Sequence, residues 1–424
     1  MDALFGLSMN TIMIVLVVML AVCLAFVAFV ALTNRIVFMM GLRNIPRRVA
    51  QTVLIVIGLM LSTVIITAAF ATGDTVDYSV TKQTYDLLGH ADVLLDGETG
   101  TLQPGQQDTN EIPGAGYQRF LDVADGTTFE SIDGYAGVLY EPVPVIDTRT
   151  GLSEPAVAFS GVDADRLEAF PDIIDASSGE VLDVDNLADD EVYLNETAAN
   201  ELDADVGDPL QTFIFSQPLD PKVTAIVRDT GVAGGGDLAE PQGMVTSLDR
   251  LHELFGHDDV SLILVSATGG ARPDLAVVDA AALEIEGLIE ANNLNLEISD
   301  TKRDFVEEAE SIGNFMTTFF LLLGLFSIGA GILLILMIFV MLAAERKSEM
   351  GMSRAIGMKR GQLVQMFVSE GGAYDIGSAF VGVFIGILVA FALTTAASAI
   401  FSTFGFTFTP HVTLRTAVVS FCLG

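Results

Sequence analysis

The sequence predicts a membrane protein: an α-helical transmembrane bundle plus a large α+β extracytoplasmic domain. Two observations predict it. First, 51% of the 424 residues are hydrophobic, yet the formal net charge is −35. A soluble chain with that charge would be polar throughout, so the apolar and acidic residues must occupy different segments. Second, residues 3–34, 49–73, 311–344 and 376–414 contain no Asp, Glu, Lys or Arg. A helix of about 20 residues crosses a hydrocarbon core of ~30 Å, so each run is long enough to span once.

Residues 1–34 form the first span. The leader carries Asp2 and no basic residue, and the apolar stretch 11–32 exceeds a secretory h-region, so it reads as a membrane helix rather than a signal peptide. A basic loop, 35–48, leads to the second span, 49–73. The domain at 74–311 follows, then a third span at 312–344, a loop at 345–372 and a fourth span at 373–402. An outer loop, 403–412, holds Pro410, which argues against a second crossing within the last apolar run. Residues 413–424 start a further span and stop midway, so the chain is expected to be a fragment of a longer one.

Charge sets the orientation. The loop 35–48 carries Arg35, Arg43, Arg47 and Arg48 and no acid, and the loop 345–372 carries Arg346, Lys347, Arg354, Lys359 and Arg360. Nine of the chain's 20 basic residues therefore sit in two short loops, which the positive-inside rule places in the cytoplasm. The N-terminus and the domain 74–311 are then outside. From 74 to 310 the chain has 50 acidic and 10 basic residues, a net of −40. That balance disfavours nucleic acid. It fits either a saline habitat or ordinary negative surface charge.

Within the domain, Ala91–Leu95, Val138–Ile146, Val157–Val162, Val223–Val227 and Ser261–Val265 read as strands. Asn195–Leu202, Leu248–Phe255, Leu275–Asn292 and Lys302–Gly313 read as helices, the last running on into the third span. Gly234–Gly236, Asp237 and Pro241 mark a flexible turn. Catalytic chemistry has no visible carrier: GxSxG is absent and no His lies near a nucleophile motif. His252 and His257 match no metal spacing and read as a surface loop. Cys23 and Cys422 lie inside apolar segments and form neither a disulfide framework nor a metal site in the domain. No metal or cofactor site is expected in this chain.

The loop AERKSEMGMSRAIGMKRGQ holds more than an anchor needs. Arg346 and Lys347 suit a helix C-terminus next to anionic lipid headgroups. An anchor does not require Glu345, Glu349 or the glycines 351, 357 and 361. Glycine disfavours a helix interior by ~1 kcal/mol relative to Ala, so the loop is expected to break into short pieces. A kinked amphipathic segment with both signs of charge suits docking in a protein groove.

From about residue 41 onwards the chain resembles the FtsX/MacB-type ABC transporter permeases. GLRNIPRRVAQTVLIVIGLMLS, with Arg43, Arg47 and Arg48, is similar to the basic approach to that family's first span. FSGVDADRLEAF, EVYLNETAANELDADVGDPLQTF and KVTAIVRDTG resemble the MacB-type extracytoplasmic core. The family's Glu-Arg, Glu-hydrophobic-Gly, Arg-Ala-hydrophobic-Gly and helix ending in Glu match Glu345, Arg346, Glu349, Gly351, Arg354, Gly357 and Glu370. Two departures stand out: a span precedes the usual first one, and the fourth span of the family is cut short. The sequence has no GxxxxGK[ST], so no P-loop.

The resemblance implies a transport subunit, not an enzyme, in the cell membrane. ATP and Mg would sit on a separate ABC nucleotide-binding subunit or beyond residue 424. That partner would push on 345–372, and the motion would pass to the outer domain. The load would be a lipoprotein, peptide or drug, or an envelope enzyme to be activated. A permease dimer or a duplicated permease unit is implied, with membrane lipid around it. No span carries a deeply placed ionisable residue, Asp375 lying at the edge of the fourth, which argues against ion coupling through the bilayer. The alternative, from another class, is an ATP-independent membrane-anchored receptor or scaffold with a ligand-binding outer domain.

Overall fold

The computed structural model describes residues 3–4, 7–47, 49–97, 111–215, 217–234, 242–345, 347–355, 357–401 and 408–424. Its helices are α1 (Met9–Thr33), α2 (Arg35–Asn44), α3 (Val49–Leu88), α4 (Gly114–Ala124), α5 (Glu196–Leu202), α6 (Gly231–Gly234) and α7 (Leu248–Phe255). They continue as α8 (Leu275–Asn292), α9 (Lys302–Glu345), α10 (Lys347–Ala355), α11 (Arg360–Phe401) and α12 (Leu414–Leu423). The chain divides into two compact units. One comprises Met1–Val80 with Glu310–Gly424, the other Thr81–Ala309.

In the first unit, strands β1 (Ala3–Leu4) and β2 (Leu7–Ser8) pair ahead of α1. Among the described residues, three helices are long and apolar enough to cross a membrane: Asn10–Thr33, Thr52–Leu88 and Arg360–Ile400. A helix is the economical solution there, because it satisfies its backbone polar groups within one segment. The charge-free run 311–344 lies in α9, where many side chains fall outside the described residues. Ile14, Val18, Val22 and Phe29 on α1, and Phe380 and Phe384 on α11, are exposed, as lipid contact requires. Polar groups face inward instead: Thr63, Thr67 and Ser378 are fully buried.

α3 and α11 pack through small residues. A Cβ added at Gly382 would lie 2.6 Å from Thr63 Cβ, and one at Gly386 would lie 2.5 Å from Thr67 Cβ. Gly-x-x-x-Gly on one helix thus meets Thr-x-x-x-Thr on the other, one turn apart, so the backbones approach closely. Residues 408–413 follow α3 further along. Ser79 Oγ accepts from the Thr409 amide at 2.9 Å, and Asp74 Oδ2 from the Thr413 hydroxyl at 2.8 Å.

The second unit is a mixed ten-stranded sheet with both faces covered. Its strands are β3 (Val93–Gly97), β4 (Ile132–Asp147), β5 (Ser153–Val162), β6 (Glu191–Asn195), β7 (Leu210–Ile214), β8 (Gln217–Leu219), β9 (Lys222–Val227), β10 (Gly243–Ser247), β11 (Leu262–Ala267) and β12 (Leu296–Thr301). The main order is β12-β3-β11-β4-β5-β10-β6-β9, with β7 added on β4 and β8 on β7. Pairs β10–β5 and β6–β9 are parallel; the other pairs are antiparallel. Alternation along each strand feeds two cores. On β11, Ile263 and Val265 face a core built with α4, α5, α7 and α8, while Leu264 faces a second core with Phe170, Ile173 and Val232.

The structure has the α+β class the sequence predicts, with differences of extent. β4 runs from Ile132 through Pro142, which lies opposite Ala158, and through Pro144, which falls where the register shifts between Val143 and Val145, so that the ladder is spared a missing donor there. β8, β10, β12 and α4 are additional elements. Of the turn expected at 234–241, Gly234 closes α6 and residues 235–241 lie outside the described residues. The expected loop 35–48 is mostly helix. Val37 and Gly41, one turn apart, are its buried face, and a Cβ at Gly41 would lie 2.6 Å from Ser369 Oγ on α11.

Candidate functional site

The sequence-derived site residues all belong to the first unit. Arg43 closes α2 on its exposed side, where a cation complements the helix dipole. Arg47 lies in the 3-10 turn Ile45–Arg47, with its side chain undescribed, and Arg48 lies outside the described residues. Glu345 is the last residue of α9 and Glu349 lies in α10; neither side chain is described. Arg346 also lies outside the described residues.

The expected loop 345–372 is a helix, a turn and a second helix. Gly351 does not break the chain: it lies inside α10 with open space around it. Gly357 is the true breaker. Its φ is +98°, which L side chains rarely adopt, and its N–H donates to the Arg354 carbonyl at 3.0 Å. α11 then starts under its own cap, the Lys359 amide donating to Gln362 Oε1 at 3.0 Å. That is the side-chain-to-amide half of a capping box. Met352, Arg354, Lys359, Arg360 and Val364 are all exposed around this turn.

The next turns of α11 are built into the bundle. Leu363, Met366, Ser369 and Glu370 are buried at helical spacing. Asn34 Nδ2 donates to Gln365 Oε1 at 2.9 Å and fixes the start of α2 against α11. Glu370 is 1% exposed, and its Oε1 accepts from the Tyr374 hydroxyl at 3.0 Å. The Thr52 hydroxyl, 3.4 Å from that of Tyr374, donates to the Ile45 carbonyl at 2.9 Å. Ile55, Leu59 and Phe367 pack around this polar chain. Glu370 is thus tied to Tyr374 inside the bundle, whereas Arg354, Lys359 and Arg360 are exposed.

The second unit carries features the sequence did not single out. A cleft of about 870 Å³ lies among α4, α7 and the turn after β5, lined by Tyr117, Asp125, Asp163, Arg166, Asp249 and His252. Tyr117 donates to Asp163 at 2.5 Å and accepts from the Gly137 amide at 2.8 Å. Burial first, then Asp163, pushes its hydroxyl well above the usual range. Arg166 grips Asp125 through both Nη atoms, at 3.0 and 2.8 Å, and covers the Tyr135 ring. These bonds tie Tyr117 to Asp163 and Arg166 to Asp125 along the cleft wall. His252 is bonded to the Asp259 carbonyl, and His257 lies within 4 Å of Glu141 and Asp259. Among the described residues, no group of three or more His, Cys, Asp or Glu could hold a metal ion.

Comparison with known proteins places these features in context. Residues 320–424 match the family model described as FtsX-like permease C-terminal, a stretch that contains α10 and the start of α11. Residues 52–283 match the model described as MacB-like periplasmic core domain. The macrolide export ATP-binding/permease protein MacB of Brucella abortus (strain 2308) is 23% identical over 196 residues, covering 46% of this chain and 30% of that protein. The uncharacterized ABC transporter permease YvrN of Bacillus subtilis (strain 168) is 30% identical over 264 residues, 59% of this chain and 61% of the relative. The chain thus spans less than two thirds of either relative. A crystal structure of the periplasmic region of MacB from Actinobacillus actinomycetemcomitans aligns at 12% identity and a TM-score of 0.34, over 53% of this chain and 94% of that one.

Proposed function

The chain belongs to the family of ABC transporter permeases of the MacB and FtsX type, and on that premise we propose that it couples ATP hydrolysis on a separate subunit to movement of its outer domain. One observation carries the reading. The turn between α10 and α11 is bare, cationic and partly apolar, yet it is mounted on a helix that is locked into the bundle from Leu363 onwards. A knob of this kind can receive a push and pass it on, because packed helices move as rigid bodies.

In this mechanism the ATPase subunit holds ATP and Mg. Its dimerisation displaces α10 and the first turn of α11. Arg354, Lys359 and Arg360 meet acidic groups on the subunit, and Met352 and Val364 fill an apolar groove. Arg43, Arg47 and Arg48 hold the neighbouring segment at the anionic headgroups. Glu370 keeps α11 and the start of α3 in register through Tyr374 and Thr52. The N-terminus is outside, two permease units act together, and the load is a lipoprotein, peptide or drug, or an envelope enzyme awaiting activation.

The test uses the intact protein in detergent and a separately purified ABC ATPase subunit from the same organism. Arg354→Glu is expected to weaken their association at least tenfold, about 1.4 kcal/mol, without lowering the melting temperature. If the wild-type protein recruits no ATPase and the variant keeps full activity, the transporter reading fails and the receptor or scaffold takes its place.

A further inference from the structure

The last turns of α3 and the first turns of α9 both belong to the outer unit, and a buried ion pair joins them. Lys302, the first residue of α9, is 1% exposed. Its Nζ lies 2.5 Å from Asp92 Oδ1, 2.7 Å from the Gly89 carbonyl and 3.1 Å from the Ala271 carbonyl. The buried ammonium thus donates to two carbonyls and has its charge balanced by Asp92. Gly89 ends α3: its φ is +54° and its N–H donates to the Tyr85 carbonyl at 3.0 Å. Lys302 therefore caps the other helix's C-terminus.

Asp92 extends the connection into the sheet. Its N–H donates to the Val265 carbonyl at 2.9 Å, and its Oδ2 accepts from the Ala267 amide at 2.7 Å, both on β11. Its carbonyl accepts from the Lys302 amide at 2.8 Å. Two outer ties reinforce the end of α3. His90 donates its amide to Asp172 Oδ2 at 2.9 Å, with the ring Nδ1 2.8 Å from Oδ1. Arg272 binds Asp86 at 3.0 Å and lies over the Tyr85 ring, which Lys302 Nζ also approaches at 5.9 Å. A buried ion pair is a poor route to stability, since an apolar pair of similar volume holds a fold as well or better. What an apolar pair cannot do is donate to two carbonyls on different elements.

We infer that Lys302, held by Asp92, is a positioning residue: it makes the end of α3, the start of α9 and the edge of β11 one joint without slack. Its mechanical use rests on the transport reading above. Displacement of either helix then enters the sheet through β3 and β11 together rather than being lost in a frayed turn.

The joint is tested without any ATPase, so its failure and that of the transport reading are separate results. The intact protein is prepared as wild type, as Lys302→Met, and as the double variant Asp92→Leu with Lys302→Met, which keeps the site filled if the single variant does not fold. Hydrogen exchange should quicken at least tenfold at the amides of residues 85–89 in the double variant, with Ile263–Val265 still protected. Spin labels at Gln83 and Glu308, in a background lacking Cys23 and Cys422, should give a distance distribution at least twice as broad as wild type, at an unchanged melting temperature. Wild-type exchange at 85–89 with a wild-type distribution would overturn the proposal, because the pair would then serve folding alone. Loss of protection at Ile263–Val265 would overturn it as well.

Discussion

His90 couples the stability of the outer unit to pH above the carboxylate range. The bond to Asp172 raises its pKa above the ordinary 6.5 against the opposing effect of burial; Asp172 and Asp92 nearby add to the rise and Lys302 opposes it. A folded-state pKa above the unfolded value means that the protonated ring stabilises the fold. That contribution is complete below pH 6.5 and disappears as the pH rises through the folded value. The melting temperature should therefore fall as the pH climbs from 6.5 through the folded-state value, and His90→Asn should flatten the curve. Parallel curves for wild type and variant would remove the assignment. Asp172 lies far from His90 in the chain, so no spacing rule could have paired them.

Among the elements, the interlock of α3 and α11 is the most sharply testable. At Gly386 an added Cβ would lie 2.5 Å from Thr67 Cβ and 3.0 Å from the Val64 carbonyl. Gly377, about two and a half turns earlier on α11 and so on the opposite face, has open space. Overpacking a close contact costs typically ~1–3 kcal/mol. Gly386→Leu should lower the melting temperature of the solubilised protein and Gly377→Leu should leave it unchanged. Equal effects at the two sites would mean that α11 does not pack on α3 through this face.

The same scale explains which elements the sequence made legible. The bounds expected for α7 and α8 match the observed helices, because each has a capping side chain and an αL terminus: Ser247 and Gly256, Asp274 and Asn293. α2 was hidden by its arginines. They drew attention to charge, while the signal of a packed face, Val37 and Gly41, is only two residues long. The glycine rule succeeded at Gly357 and failed at Gly351, inside α10, and at Gly361, in the first turn of α11. Propensity alone does not distinguish a glycine that must adopt positive φ from one that only weakens a helix. The joint at Lys302 was invisible for a further reason: its acceptors are backbone carbonyls brought together only by the fold.

For the whole molecule the governing quantity is charge. The stretch 74–310 carries a net of −40, with 10 basic residues to offset 50 acidic ones. Attractive pairs such as Arg303 with Asp279, at 2.6 Å, are partly exposed. Such pairs contribute ~0–1 kcal/mol each, less as salt rises. Repulsion among the unpaired carboxylates is also screened, and it involves far more partners. Raising KCl from about 0.1 M to about 1 M shortens the screening length from ~10 Å to ~3 Å. The repulsive sum should lose more than the few pairs do, so the melting temperature of the intact protein should rise. It should level off near the upper concentration, where the screening length falls below the spacing of neighbouring charges. A steady linear rise would point instead to salt acting on apolar surface, and a fall would mean that the ion pairs outweigh the repulsion.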